Sequence, residues 1–223
     1  MNLILFDLDN TLLAGDSDVA WTRFLIEKKV LNANTWEVRN LAFYEQYKAG
    51  SLDIDEFLDF QLTPLTQHPR AQLNFWRNEF IIQHIRPMIL PAARALVSES
   101  LQSDALVALV TATNSFITWP IAREFGIEHL IATIPAQENG VFTGKSRGIP
   151  AFQSGKVARV EDWLESMGLN FTCFDQSWFY SDSLNDLPLL QQVTHPVAVD
   201  PDNILRATAL ENGWQILTLR EEI

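Results

Sequence analysis

Residues 3–11 read Leu-Ile-Leu-Phe-Asp-Leu-Asp-Asn-Thr, an apolar run that ends in two carboxylates and a threonine. The run of Leu, Ile and Phe predicts a buried strand. Because side chains alternate between the two faces of a strand, Asp7 and Asp9 are expected to leave it close together on the same side. Two such acids are costly unless a cation or a proton transfer uses them. A turn with solvated acids is the structural alternative.

Outside this stretch, the chain divides into a helical part and an alternating part. Residues 15–86 carry apolar positions at helical spacing and show no strand pattern, with Ser51 or Asp53 as the cap of their third helix. From Ile89 onward, strands alternate with helices, which predicts a parallel sheet covered on both faces. We therefore predict an α/β core made by residues 1–14 and 87–223. The all-helical residues 15–86 are inserted after the first strand.

Residues 140–146 imitate a nucleotide-binding loop. They read Gly-Val-Phe-Thr-Gly-Lys-Ser, with three residues between the glycines where the P-loop needs four. Gly148 and Pro150 would also break the helix that must follow such a loop. Asn139-Gly140 between two β-like runs predicts a hairpin turn instead.

The composition excludes several classes of partner. The chain has 223 residues and a net charge of −12, which argues against nucleic acid and anionic membrane surfaces because both require clustered Lys and Arg. The apolar N-terminal run lacks a basic leader, and no stretch approaches the roughly 18 apolar residues that span a bilayer. The single cysteine, Cys173, is expected to pack in the core. It allows no disulfide within the chain, which fits a cytoplasmic location.

Two further segments place polar groups where a helix begins. The apolar residues 105–110 predict a strand that ends at Thr111, whose hydroxyl is placed to donate to an oxyanion. Helix capping by Thr111 or Asn114 is the alternative. Lys156 opens a predicted helix, where its charge opposes the helix dipole unless the side chain points at an anion.

A last segment supplies two more acids. The predicted strand at residues 178–180 leads to Asp182, and Asp186 follows among leucines. Asp182 would serve as a helix cap in the structural alternative. An acidic pair at the carboxyl edge of a sheet suits Mg²⁺, because that ion prefers hard oxygen ligands and leaves room for water and a phosphate oxygen.

In this order, these segments resemble the four motifs of haloacid dehalogenase superfamily phosphatases. The matching residues are Asp7-x-Asp9-x-Thr11, Thr111, Lys156 and Asp182-Ser-x-Asn185-Asp186. The resemblance covers the whole chain, and the insertion is similar to that superfamily's helical cap of the first type. Asn-Asp-Leu-Pro at 185–188 is most similar to the phosphoserine phosphatase branch. The resemblance implies a Rossmann-like parallel sheet with the site at the carboxyl ends of its strands.

The same resemblance implies a role for each motif residue in a Mg²⁺-dependent phosphatase. Asp7 would be the nucleophile that forms an aspartyl-phosphate. Asp9 would protonate the leaving group and then activate water. The phosphate-binding residues that it implies are Thr111, Lys156 and Asn185. The magnesium ligands that it implies are Asp7, Asp9 through its backbone carbonyl, Asp182 and Asp186.

The motifs leave the substrate open among small phosphomonoesters. In phosphoserine phosphatases, an acid on the loop after the first motif binds the substrate ammonium and a cap arginine binds its carboxylate. Asp16 matches the first place, but residues 50–61 contain no arginine. This difference favours a phosphorylated amino alcohol such as histidinol phosphate over phosphoserine. The arginines that would substitute from elsewhere are Arg23, Arg39, Arg70, Arg77 and Arg86.

Other interpretations stay open at this point. The cap aromatics would either stack on an imidazole ring or simply pack the cap; they are Trp21, Phe24, Phe57 and Phe60. A phosphotransferase that passes the phosphoryl group to an acceptor alcohol has the same motifs. A non-catalytic binding protein on the same fold is disfavoured, because such a protein would usually have lost a motif residue. Nothing in the sequence indicates an oligomeric state.

Overall fold

One seven-stranded sheet organises the protein, whose structure is a computed structural model describing residues 1–220. The strands are β1 Asn2–Phe6, β2 Ala105–Asn114, β3 His129–Glu138, β4 Val141–Arg147, β5 Ser177–Ser181, β6 His195–Val199 and β7 Gln215–Leu217. Their order across the sheet is β4-β3-β2-β1-β5-β6-β7. All neighbours are parallel except β3 and β4. The predicted α/β fold with a parallel sheet is confirmed.

Helices fill the connections between the strands. They are α1 Ser17–Glu27, α2 Ala33–Lys48, α3 Ile54–Thr66, α4 Arg70–Phe80, α5 Arg86–Met88, α6 Pro91–Gln102, α7 Ser115–Glu124, α8 Ser154–Glu165, α9 Leu187–Leu190 and α10 Asn203–Asn212. A π-helical turn, Ile81–Ile85, continues α4. Of the two caps predicted for α3, Asp53 is the one used: its carboxylate accepts from the N–H groups of Asp55 and Glu56. None of the helices within residues 1–220 is long and apolar enough to cross a membrane.

The first strand lies at the centre of the sheet and is buried on both faces. Leu3 and Leu5 belong to one apolar cluster with Phe179 of β5, and Phe6 belongs to a second cluster on the other side. Burial on both faces explains why this strand is a continuous apolar run rather than an alternating one. The central position also places the end of β1 between the ends of β2 and β5.

After β1 the chain leaves the sheet for a helical segment, and it rejoins the core just before α6. An isolated antiparallel bridge joins Leu13 to Ile89, and the Ala14 N–H donates to the Met88 carbonyl. Within the described residues, no strand lies between β1 and β2; the interval holds α1–α6, of which α1–α5 precede Ile89. The division into core residues 1–14 with 87–223 and cap residues 15–86 stays a prediction, and residues 221–223 lie outside those described.

Two predictions about the second half of the chain have clear outcomes. The hairpin is confirmed: Asn139 and Gly140 link β3 to β4 with positive φ angles of 49° and 81°, the backbone that a tight two-residue turn requires. The core position of Cys173 is wrong, because this residue is exposed. It lies in a short helical turn on the surface, where the flanking Phe171 and Phe174 point inward.

Candidate active site

Three neighbouring strands bring the motif residues to one edge of the sheet. Phe6 of β1 pairs with Leu109 of β2 and Tyr180 of β5, so the residues that follow these positions lie side by side. The Asp7 N–H donates to the Tyr180 carbonyl at 2.9 Å, so the hydrogen bonding between β1 and β5 continues to Asp7, the predicted nucleophile. Parallel strands place their carboxyl ends together, and this edge is where ligands bind in open α/β sheets.

Lys156 connects the first and last motifs. Its Nζ donates to Asp7 Oδ1 and to Asp186 Oδ2, each at 2.7 Å, and all three residues are buried. Ser181 Oγ donates to the same Asp186 oxygen at 2.7 Å. Burial opposes the positive charge of Lys156, but the two ion pairs outweigh it and raise the Lys156 pKa. The opposition of Lys156 to its helix dipole is therefore compensated by two carboxylates.

Negative charge exceeds positive charge around the predicted nucleophile. Burial raises the pKa of Asp7 to about 7, against the attraction of Lys156 and with a contribution from Asp186. Burial and repulsion from Asp7 and Asp186 also raise the pKa of Asp182 well above its ordinary value. The single ammonium of Lys156 thus lies among three carboxyl groups, those of Asp7, Asp182 and Asp186. This excess of acids favours the binding of a further cation.

Thr11 holds two of these carboxyl groups next to each other. Its fully buried Oγ1 lies 3.1 Å from Asp7 Oδ2 and 3.2 Å from Asp182 Oδ1, and it accepts from the Asp182 N–H at 3.1 Å. Asp182 is not a helix cap, because the short turn that follows is capped by Ser183, whose Oγ accepts from the Asn185 N–H. The carboxylate of Asp182 is therefore available to a ligand.

The donor set at this point fits Mg²⁺. No three His, Cys, Asp or Glu side chains within residues 1–220 form a metal cluster by themselves. Mg²⁺ needs fewer, since it binds through one or two carboxylates together with waters and phosphate oxygens. Asp7 and Asp182 supply that pair, and the excess of buried negative charge is the condition that a divalent cation relieves. Asp186 Oδ2 is engaged by Lys156 and Ser181.

Asp9 is held by donors from two elements. Its Oδ1 accepts from the Ser17 N–H at 2.6 Å, and its Oδ2 accepts from Thr113 Oγ1 at 2.8 Å, with Thr111 Oγ1 at 3.5 Å. Burial and repulsion from Asp16 raise the Asp9 pKa to about 6, against the hydrogen bonds from Ser17 and Thr113. Such a carboxyl suits proton transfer near neutral pH.

Thr113 and Asp18 were not predicted as site residues. Thr113 Oγ1 lies 3.2 Å from Asp18 Oδ2 as well as close to Asp9. A hydroxyl has one hydrogen, so both contacts are hydrogen bonds only when one of the two carboxyl groups carries a proton. Asp18 is 5% exposed, and burial raises its pKa well above the ordinary value. Side chains two positions apart on a strand share a face. If β2 had been predicted to extend to Asn114, Thr113 would have been expected beside Thr111.

A pocket lies over these groups, between the sheet edge and α1–α3. The lining consists of Asp7, Asp9, Asn10, Asp16, Asp18, Val19, Asn40, Phe43, Tyr44, Tyr47, Leu52, Ile54, Phe57, Gln61, Thr111, Ala112, Thr113, Phe152, Lys156, Asn185 and Asp186. Seven of the eight predicted site residues are among them. Asp182 lies beside the pocket and reaches Asp7 through Thr11. Asp16 lines the pocket while its Oδ1 also caps α1 by accepting from the Val19 N–H.

The cap contributes different side chains to this pocket from those the sequence suggested. Of the four candidate aromatics only Phe57 lines it, since Trp21 and Phe24 stack in the core and Phe60 stacks on Trp36. Lys156 is the only Lys or Arg in the lining formed by the described residues, and none of the five candidate arginines reaches it. The acid predicted for a substrate ammonium, Asp16, lines the pocket, and within residues 1–220 no arginine lines it for a substrate carboxylate.

Asn185 links the last motif to the cap. Its Nδ2 donates to the Tyr47 carbonyl and its Oδ1 accepts from Gln153 Nε2, each at 3.0 Å. Tyr47 in turn donates through its hydroxyl to Ser183 Oγ at 2.8 Å. Asn185 therefore lines the pocket with its amide already engaged, and phosphate binding by this residue stays a prediction.

Comparison with known proteins agrees with this geometry. The family model described as haloacid dehalogenase-like hydrolase matches residues 4–191. The chain belongs to this family. Its sequence is 40% identical over 220 residues to a histidinol-phosphatase of Neisseria meningitidis serogroup C, covering 98% of this chain and 99% of that protein. It is 30% identical over 218 residues to a phosphoserine phosphatase of Mycobacterium tuberculosis, covering 96% of this chain and 70% of the relative.

Two solved structures share the fold of this chain. A protein of unknown function from Bordetella pertussis Tohama I superposes with a TM-score of 0.93 at 44% identity, covering 98% of this chain and 99% of that one. A substrate-bound phosphoserine phosphatase superposes with a TM-score of 0.69 at 18% identity, covering 99% and 93%; this second match shows the fold alone. The predicted family and the prediction of a phosphatase are confirmed.

Proposed function

We propose that this protein is a Mg²⁺-dependent phosphatase that hydrolyses a phosphorylated amino alcohol, such as histidinol phosphate, through an aspartyl-phosphate. The observation that carries the chemistry is the buried bridge from Lys156 to Asp7 and Asp186, with Asp9 two residues along the same strand end. It presents a nucleophile, a cation for phosphate oxygens and a separate acid in one pocket.

The first half-reaction transfers the phosphoryl group to the protein. An oxygen of Asp7, oriented by Lys156 and Thr11, attacks phosphorus as the bond from phosphorus to the ester oxygen breaks. Protonated Asp9 gives its proton to that departing oxygen, and the alcohol leaves. Thr111 and Lys156 donate to the phosphoryl oxygens during the transfer. Asp7, Asp182 and the Asp9 carbonyl would hold Mg²⁺, which would supply positive charge against the repulsion between carboxylate and phosphate.

The second half-reaction returns the protein to its starting state. Asp9, now a carboxylate, accepts a proton from a water molecule whose oxygen attacks phosphorus. The bond between phosphorus and Asp7 breaks, inorganic phosphate leaves and Asp9 is protonated again. The hydrogen bonds from Ser17 and Thr113 keep the Asp9 carboxyl in one orientation through both steps.

The charges of the pocket support an amino alcohol as the leaving group. Asp16 lines this pocket and favours an ammonium group, whereas a carboxylate would meet no cation other than Lys156 among the described residues. A full-length relative at 40% identity is a histidinol-phosphatase. Phosphoserine is the second candidate, because a relative at 30% identity is a phosphoserine phosphatase.

Phosphate release from a panel of esters tests this proposal. Histidinol phosphate, phosphoserine and a sugar phosphate are each incubated with Mg²⁺ or with EDTA, for the wild type and Asp7→Asn. We expect release from histidinol phosphate that EDTA suppresses and that Asp7→Asn lowers by about 10³-fold or more. Folded Asp7→Asn with wild-type turnover would contradict the role of Asp7. Transfer of phosphate to an added alcohol instead of water would indicate a phosphotransferase.

A further inference from the structure

Three polar side chains form a hydrogen-bonded chain on the cap side of the pocket and take no part in the chemistry above. Thr22 of α1 donates through its hydroxyl to Gln61 Oε1 at 3.3 Å, and Gln61 Nε2 donates to Asn40 Oδ1 at 3.0 Å. Gln61 is 4% exposed, and both Gln61 and Asn40 line the pocket. The two bonds engage both amide oxygens, so the pair offers a ligand N–H donors.

Charge determines which acceptor these donors suit. The carboxyl groups in the pocket lining belong to Asp7, Asp9, Asp16, Asp18 and Asp186. Within the described part of the chain, Lys156 is the one Lys or Arg that lines the pocket, and it already pairs with Asp7 and Asp186. An amide N–H adds no positive charge and cannot offset a buried carboxylate. An uncharged ring nitrogen needs only the hydrogen bond.

We propose that Gln61, positioned by Thr22 and acting with Asn40, determines the substrate specificity of this pocket. Its amide N–H donates to an uncharged ring nitrogen of the substrate, and it offers no positive charge to a carboxylate. The inference rests on the proposed function. It assigns different side chains of the pocket to the ammonium and to the ring of the substrate. Asp16 faces the ammonium. Phe43 and Phe57, whose ring centroids lie 5.4 Å apart, form the apolar surface beside the ring.

Three phosphomonoesters separate these contributions. Phosphoethanolamine carries an ammonium alone, histidinol phosphate adds an imidazole, and phosphoserine adds a carboxylate. The kcat/KM ratio of histidinol phosphate to phosphoethanolamine measures ring recognition, and a general loss of folded enzyme cancels from it. In Gln61→Leu we expect this ratio to fall about tenfold, mainly through KM. In Gln61→Arg we expect the ratio of phosphoserine to phosphoethanolamine to rise by about tenfold, because a guanidinium pairs with the carboxylate.

A second variant guards against a folding defect at the buried Gln61. Thr22→Val is nearly isosteric and removes the hydroxyl that orients the Gln61 amide, so the ring-recognition ratio is expected to fall about threefold. Thr63→Val is the control, since Thr63 lies on the same helix as Gln61 but outside the pocket lining and donates to the Asp59 carbonyl. Unchanged ratios in Gln61→Leu and Thr22→Val would overturn this inference alone. A wild type that prefers phosphoserine would overturn both the inference and the proposed substrate.

Discussion

The carboxyl group of Asp9 depends on neighbours that come from two elements far apart in the chain. Ser17 at the start of α1 binds one of its oxygens, Thr113 on β2 binds the other, and Asp18 lies behind Thr113. Hydrogen bonds on both oxygens leave the carboxyl one orientation, which proton transfer to a bound substrate requires. Asp18 has no Lys or Arg within ion-pair distance among the described residues, so its environment disfavours its charge.

Replacing Asp18 by Asn is expected to change the pH dependence of stability. Burial raises the Asp18 pKa well above its ordinary value, so the native state retains a proton that the unfolded chain loses above about pH 4. The stability that this retained proton provides is fully present at lower pH and decreases as the pH rises through the native pKa. Asparagine does not titrate. The free energy of unfolding of Asp18→Asn, relative to wild type, should therefore increase from pH 4 to pH 8.

Urea unfolding at pH 4, 6 and 8 measures this difference. Asp162→Asn on α8 is a suitable control, because that side chain is exposed in the native state. A difference between Asp18→Asn and wild type that stays constant with pH would contradict the prediction.

Among the elements, α8 places the lysine of the site through the turn that precedes it. Gln153 has a positive φ of 48°, and the Gly155 and Lys156 N–H groups donate back to Phe152 and Gln153. A Cβ on Gly155 would lie 2.1 Å from the Pro150 carbonyl oxygen. Gly155 has a negative φ, so its role is to allow close approach of the backbone rather than an unusual conformation.

Gly155→Ala is expected to displace this turn and Lys156 with it. Relief of the clash with the Pro150 backbone requires a shift of the chain, and such overpacking costs about 1–3 kcal/mol. Urea unfolding measures the loss of stability, and phosphate release at saturating substrate should show a lower kcat because Lys156 no longer spans Asp7 and Asp186. Ser154→Ala provides the control one residue earlier. Wild-type stability and turnover in Gly155→Ala would show that the loop accommodates the methyl group without moving Lys156.

At the scale of the whole molecule, the strand order concentrates negative charge at one edge. β1 lies between β2 and β5, so the acids after β1 and β5 meet at the carboxyl end of the sheet. The chain has a net charge of −12, and its pocket has the same sign of charge. A protein with this distribution binds an anionic ester only with a cation at the site.

Magnesium should therefore stabilise the whole fold. A ligand that binds the native state alone raises the Tm with its concentration, and we expect a Mg²⁺-dependent rise that EDTA reverses. Asp182→Asn removes one proposed ligand and should reduce that rise by more than half, whereas Glu165→Gln, exposed on α8, should leave it unchanged. Thermal unfolding with increasing Mg²⁺ measures both. Equal shifts in Asp182→Asn and wild type would exclude Asp182 as a ligand.

The sequence by itself determined the features that arise from local patterns. The apolar run at 3–6 predicts a strand buried on both faces, Asn139-Gly140 predicts the hairpin, and Asp53 caps α3 as one of two candidates. Motif order was sufficient to predict the family, and six of the seven site residues that the motifs indicated line the pocket. Such signals depend on residues near one another in the chain, where backbone preference and side-chain periodicity act directly.

Only the tertiary structure decided which distant side chains meet. Thr113 reaches Asp9 because β2 continues beyond its apolar residues, and Asn185 binds Tyr47 because the end of α2 packs over the last motif. Helical periodicity does not tell whether an apolar side chain faces the core or a pocket, so Phe57 could not be separated from Trp21. The partner of Gln61 is likewise set by how the cap helices pack. These contacts depend on strand order and packing between elements far apart in the chain, which local pattern does not encode.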